Sequence, residues 1–166
     1  MKVFGLAGWS GSGKTTLLIE LLPRIIARGF TVSTMKHSHH RFDMDQPGKD
    51  SFRHREAGAS EVLVASSSRW ALLHELRDEE EPSVTELIGR MSPVDLLLIE
   101  GFKSHPHDKL EIHRPSVGKP PLWPHDPHVV AVASDEGLDG LGVPLFDLND
   151  VDAIADFILK RTGLVP

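Results

Sequence analysis

The chain has 166 residues, 40% of them apolar, and carries 18 basic against 24 acidic side chains for a net charge of −6. That balance argues against a general grip on nucleic acid or on an anionic membrane surface. The absence of cysteine excludes disulfides, thiolate zinc sites and a cysteine nucleophile. The length fits one α/β domain over residues 1–166. A start on strand-like KVFGLAG, with no signal-peptide pattern and no apolar run of membrane-spanning length, predicts a soluble cytoplasmic protein.

Residues 2–7 read as the first strand. GWSGSGKT at 8–15 follows as a complete G-x-x-x-x-G-K-[ST] phosphate-binding loop, and a helix runs on over 14–28. Glycines let backbone N–H groups approach an anion, while the helix start turns its unpaired amides and positive dipole end on the same phosphates. Ser10, Gly11, Ser12, Gly13, Lys14, Thr15 and Thr16 form the nucleotide-binding set, with Lys14 on the β and γ phosphates and the Thr15 hydroxyl on Mg²⁺. Leu17, Leu18, Leu21, Leu22 and Ile25 make the helix's apolar stripe, and Gly29 stops it. Pro23 should kink or interrupt it.

TVSTMKH at 31–37 is a second strand, followed by the polar, turn-rich HSHHRFDMDQPGKD and a short helix around 51–57. EVLVA at 61–65 and RWALLHE at 69–75, separated by three serines, predict an added β-hairpin. Ser83 and Glu86 spell a capping box for a helix ending near Met91. VDLLLIEG at 94–101 is nearly continuously apolar, as a strand buried on both faces of a parallel sheet must be. KLEIHR at 109–114, HVVAVAS at 128–134 and VPLF at 143–146 add strands, and residues 150–161 form a closing helix with Val151, Ile154, Ile158 and Leu159 on its apolar face. SVGKPPLWPHDPH between them reads as an extended loop. The alternation predicts an α/β, three-layer P-loop NTPase fold with a mostly parallel sheet and an added hairpin.

In such a sheet ligands collect beyond the carboxyl ends of the strands. Asp95 and Glu100 stand five residues apart in one strand, roughly 16 Å, so they cannot share one metal. Glu100, at the carboxyl end, is the candidate acid for Mg²⁺, and Asp95 a solvated strand-start residue. The segment from Lys36 to Arg55 is dense in ionisable groups and supports three readings. His37, His39 and His40 could bind Zn²⁺ or Ni²⁺; the segment could be a solvated loop; or it could contact anion and metal. In the last reading Asp45 is a Mg²⁺-linked carboxylate, and Lys36, His37, Arg53 and His54 bind a second phosphorylated ligand. A guanine base offers N1–H and N2–H₂ to a carboxylate, and Asp135, just past VVAVAS, is placed to accept them. Asn149 with Asp152 gives an N-x-x-D spelling that also suits helix capping.

GWSGSGKTTL, TMKHSHHRFDMDQPGKDSFRHREAGA, LLLIEGFK and KLEIHRP together closely resemble the MobB family, GTP-binding adapters of molybdopterin guanine dinucleotide biosynthesis. The resemblance spans nearly the whole chain. It implies a SIMIBI-type P-loop fold, usually dimeric, that binds GTP and helps a MobA-type nucleotidyltransferase attach GMP to molybdopterin. It also implies Lys14 and Thr15 on phosphate and magnesium. Some dimeric relatives carry an extra lysine early in the phosphate loop, where this chain has Trp9 and Ser10. With no water-orienting glutamine or arginine finger spelled out either, slow or partner-dependent hydrolysis is expected. The alternatives are a small-molecule kinase, disfavoured by the absence of arginine from the 115–128 loop, and a nickel-delivering GTPase storing metal on the histidines.

Overall fold

The computed structural model describes residues 1–38 and 42–165; His39 and His40, two residues of the histidine reading, lie with Arg41 outside the described residues. In chain order the elements are β1 (Lys2–Ala7), α1 (Lys14–Ala27), β2 (Val32–Lys36), α2 (Asp50–Glu56), β3 (Glu61–Ala65) and β4 (Trp70–His74). They continue with α3 (Val84–Gly89), β5 (Leu96–Glu100), β6 (Lys109–Ile112), a 3₁₀ turn at Pro115–Val117, β7 (Val129–Ser134), β8 (Leu145–Asp147) and α4 (Val151–Thr162). They fall into two compact units, Met1–His37 with the chain from Met91 onward, and Ser38–Arg90.

The first unit holds a six-stranded sheet in the order β2-β5-β1-β6-β7-β8, with every pairing parallel. β5 is buried at all five positions, as its unbroken apolar run requires. The chain leaves β1 toward β2 and β5 on one side and toward β6, β7 and β8 on the other, so the carboxyl end of β1 borders the crevice where this fold binds ligands. Phe4 and Leu6 of β1 join Leu17, Leu21 and Ile25 of α1 and Ile154 and Ile158 of α4 in one core. Of the two expectations for Pro23, kink or interruption, the second is corrected: α1 runs without a break from Lys14 to Ala27 with Pro23 inside. Its buried stripe of Leu17, Leu18, Leu21 and Ile25 carries the helix past the missing hydrogen bond.

Alternation puts Gly5 on the opposite face from Phe4 and Leu6. The segment after β5 crosses there, and a Cβ on Gly5 would enter the His107 imidazole and stand 2.9 Å from Lys109 Cβ. Glycine is required at this strand position for space. Asp95 is the exposed strand-start residue expected, and it also accepts hydrogen bonds from Thr31 N at 2.8 Å and Thr31 Oγ1 at 2.6 Å, tying the start of β5 to that of β2. Those bonds hold its carboxyl below the usual range.

The second unit contains the antiparallel β3–β4 hairpin, with Leu63 opposite Leu72 and Ala65 opposite Trp70, and the short helices α2 and α3. The capping box forms: Glu86 N donates to Ser83 Oγ, and Ser83 N donates to Glu86 Oε2. Arg55 organises this unit, donating to Glu75 Oε1 at 2.8 Å and to both oxygens of Asp43 at 3.1 and 3.0 Å. Among the described residues, no helix is long and apolar enough to cross a membrane.

Candidate functional site at the phosphate loop

Gly8 follows the last residue of β1, and its φ of 144° suits glycine; a Cβ there would stand 2.5 Å from Ile112 O and 2.7 Å from Ser12 Oγ. The loop closes on Gly13, which caps α1 in the left-handed region at φ 100°. Lys14, the first residue of α1, donates from Nζ to Trp9 O at 2.9 Å. Burial holds its ammonium below the usual lysine range, Glu100 pulls the other way, and the ammonium groups of Lys103 and Lys36 lower it further.

The parallel register places Leu6, Lys36 and Glu100 level at the carboxyl end of three neighbouring strands. Glu100 is buried, 5% exposed, and its Oε1 accepts from Thr15 Oγ1 at 2.7 Å and from Lys36 Nζ at 3.1 Å. Lys36 Nζ is also 3.4 Å from Thr15 Oγ1. A hydroxyl and a carboxylate oxygen thus already share a cation. This donor set suits Mg²⁺, which takes one or two protein oxygens and completes its shell with water and phosphate. Lys36, read from sequence as a partner for a second ligand, belongs to this cluster. His37 donates its backbone N–H to Glu100 O at 3.0 Å and packs its ring on Phe102, 4.5 Å between centroids.

On the other flank of the loop stands Arg114, which sequence reasoning missed. Its Nε donates to Ser12 O at 3.0 Å, and its Nη1 pairs with Asp135 Oδ2. It joins Gly13, Thr16, Glu20, Leu148 and Asn149 around a small cleft of about 110 Å³. The predicted base reader, Asp135, is thereby linked to the phosphate loop through one guanidinium. Asn149 reaches the cleft, whereas Asp152 is taken up by Arg24 and Arg28, and Asp150 is the cap of α4. The N-x-x-D spelling therefore resolves into one cleft residue and one ion-pair partner.

Two further residues missed in the sequence support the loop. Glu111 is fully buried in β6; its carboxylate accepts from Leu122 N and Trp123 N at 2.9 Å, anchoring the proline-rich loop. Burial pushes its pKa up, opposed by those two N–H donors. Lys109, 1% exposed, donates to Lys103 O, His105 O and Asp126 Oδ2, shaping the turn after β5. The alternation Lys109, Glu111, His113 against Leu110 and Ile112 was the available signal: polar residues on one face of a buried strand.

In the second unit, Asp45 accepts from Ser51 Oγ at 2.8 Å and Gln46 N at 3.0 Å, and its Oδ2 lies 3.3 Å from Arg55 Nε, close enough for an ion pair but outside hydrogen-bond alignment. Arg53 and His54 lie exposed on α2 beside a shallow depression of about 620 Å³, and Arg53 faces Asp50 at 3.8 Å. Among the described residues, no group of three or more His, Asp or Glu side chains is arranged to hold a metal.

Residues 3–135 match the family described as molybdopterin guanine dinucleotide synthesis protein B, MobB. The chain is 47% identical over 161 residues to the molybdopterin-guanine dinucleotide biosynthesis adapter protein of Escherichia coli (strain K12), covering 95% of this chain and 91% of that protein. The protein of the same name from Haemophilus influenzae (strain ATCC 51907 / DSM 11121 / KW20 / Rd) is 43% identical, with 94% and 86% covered. A crystal structure of molybdopterin-guanine biosynthesis protein B superposes with a TM-score of 0.77 at 29% identity, over 97% of this chain and 99% of that one. By sequence and by fold, the chain belongs to the MobB family.

Proposed function

We propose that this chain, as a MobB-family adapter protein of molybdopterin guanine dinucleotide biosynthesis, binds GTP at residues 8–16 and assists a MobA-type nucleotidyltransferase in converting molybdopterin to the dinucleotide. The observation that carries the nucleotide reading is the Thr15–Glu100 contact at 2.7 Å, with the Lys36 ammonium on the same oxygen at the head of α1. Ser10, Gly11, Ser12 and Gly13 supply loop amides, Lys14 a cation for the β and γ phosphates, and Thr15 and Thr16 the first turn of the helix. Thr15 and Glu100 hold Mg²⁺; the ion would neutralise charge between the phosphates. Asp135 reads the guanine edge.

Hydrolysis is slow in this reading, because Arg114, the guanidinium beside Gly13, is committed to Asp135 and Ser12 O. The whole chain works as one nucleotide-binding domain in the cytoplasm. Leu63, Leu72 and Trp70 lie exposed on one face of the hairpin, an apolar surface that a homodimer would bury. Arg53 and His54 serve the phosphate of molybdopterin, with Lys36 and His37 bordering the nucleotide.

The test is reconstitution with the transferase, molybdopterin and GTP. Dinucleotide formation should rise when the chain is added, fall with Lys14→Ala, and fall with Arg53→Ala while GTP affinity stays near wild type. No stimulation by the wild-type chain would refute the adapter reading.

A further inference from the structure

Trp9 engages two lysines at once. Its carbonyl accepts from Lys14 Nζ at 2.9 Å, and its indole lies under Lys103, whose Nζ is 3.9 Å from the ring centroid. The ring is held in place by its own Nε1–H, which donates to Pro120 O at 2.7 Å. The Lys103 ammonium is close enough to help lower Lys14, and burial holds Lys103 itself below the usual lysine range, with Glu111 pulling the other way.

The backbone is bent to bring Lys103 there. Gly101 has φ 97°, and Phe102 has φ 47°, a left-handed conformation rarely adopted by a residue with a bulky side chain. Such strain persists only where neighbours over-determine it. Here the Phe102 ring is packed on His37, and buried Lys109 grips Lys103 O at 2.8 Å and His105 O at 3.0 Å. A buried lysine paired with Asp126 is thus spent on fixing a single turn whose product is the placement of one ammonium above the phosphate loop.

We propose that Lys103 is a second triphosphate-binding lysine, held on the Trp9 indole in the free protein and transferred to the terminal phosphate when GTP binds. This rests on the phosphate-loop reading above. A cation over a partly exposed ring is held less strongly than in a charge-assisted hydrogen bond to phosphate, so the transfer is downhill. The terminal phosphate is the target because Trp9 also holds Lys14, the residue that reaches β and γ, while the loop amides cradle α and β. The loop position where other P-loop proteins carry a lysine is thus served by a lysine from the turn after β5.

The experiment is calorimetric titration of the full chain with GTP and GDP in Mg²⁺, for wild type, Lys103→Ala, Lys103→Arg and Lys14→Ala. Lys103→Ala should weaken GTP binding by about tenfold or more and GDP by less than about twofold, with Lys103→Arg recovering most of the loss. With Trp70 and Trp123 replaced by Phe, GTP should shift Trp9 emission when Lys103 is present and not when it is Ala. If Lys103→Ala binds GTP as wild type does, or loses GTP and GDP equally, while Lys14→Ala abolishes both, the inference on Lys103 falls and the phosphate-loop reading stands. If wild type binds neither nucleotide, both fall.

Discussion

Thr15 Oγ1 donates to Glu100 Oε1 across 2.7 Å, joining the first turn of α1 to the carboxyl end of β5. The contact exists because parallel β1 and β5 end level, Leu6 opposite Glu100, and α1 starts directly from the loop that leaves β1. Glu100→Gln keeps an acceptor for Thr15 but removes the charge a divalent cation needs. It should lower GTP affinity by about tenfold or more in Mg²⁺ and have little effect in EDTA, measured by paired titrations. Equal losses in both would remove Glu100 from the metal shell.

Arg114 sets a second relationship, between the phosphate loop and the segment after β7. Asp135→Asn leaves an acceptor for Arg114 but cannot take both guanine donors. GTP affinity should drop by about tenfold while ATP affinity changes by less than about twofold, read by competition against a fluorescent nucleotide. A common loss for both nucleotides would place base recognition elsewhere.

Much of this architecture was legible because it is written locally. The phosphate loop, the apolar run of β5, the Ser83–Glu86 box and the turn at 66–68 each act within a few residues, and each element formed close to its expected bounds. What escaped depends on sheet order. The pairing of Arg114 with Asp135, the anchoring of the 115–128 loop on Glu111 and the placement of Lys103 on Trp9 all follow from β6 and β5 flanking β1, which no short window of sequence states. Pro23 shows the converse: a local signal for interruption was overridden by the burial of α1's stripe. Lys36 stands beside the histidine-rich segment in sequence, and its register with Glu100 sets its ammonium on Glu100 Oε1.

His107 gives a pH prediction. It is buried against Gly5, hydrogen-bonded through Nδ1 to His105 Nδ1 at 2.8 Å, and burial together with the nearby Lys109 charge brings its pKa down to about 4 from the ordinary 6.5. The unfolded chain takes up this proton near pH 6.5 and the folded chain near 4, so between those values the unfolded state binds more protons. The contribution is complete above pH 6.5 and is lost as pH falls toward 4, by on the order of 3 kcal/mol. Urea midpoints at pH 7 and pH 5 should therefore diverge more for wild type than for His107→Asn. Identical acid sensitivity in the two would show that His107 does not titrate as described.

The most direct test of the account is calorimetric titration of the wild-type chain and Lys14→Ala with GTP in the presence of Mg²⁺. If Lys14 leaves the Trp9 carbonyl to engage phosphate, as proposed, its removal should abolish measurable binding while thermal unfolding stays within a few degrees of wild type. One GTP should bind per wild-type chain and none to the folded variant. Equal GTP affinity in the two, or no binding by wild type, would contradict it.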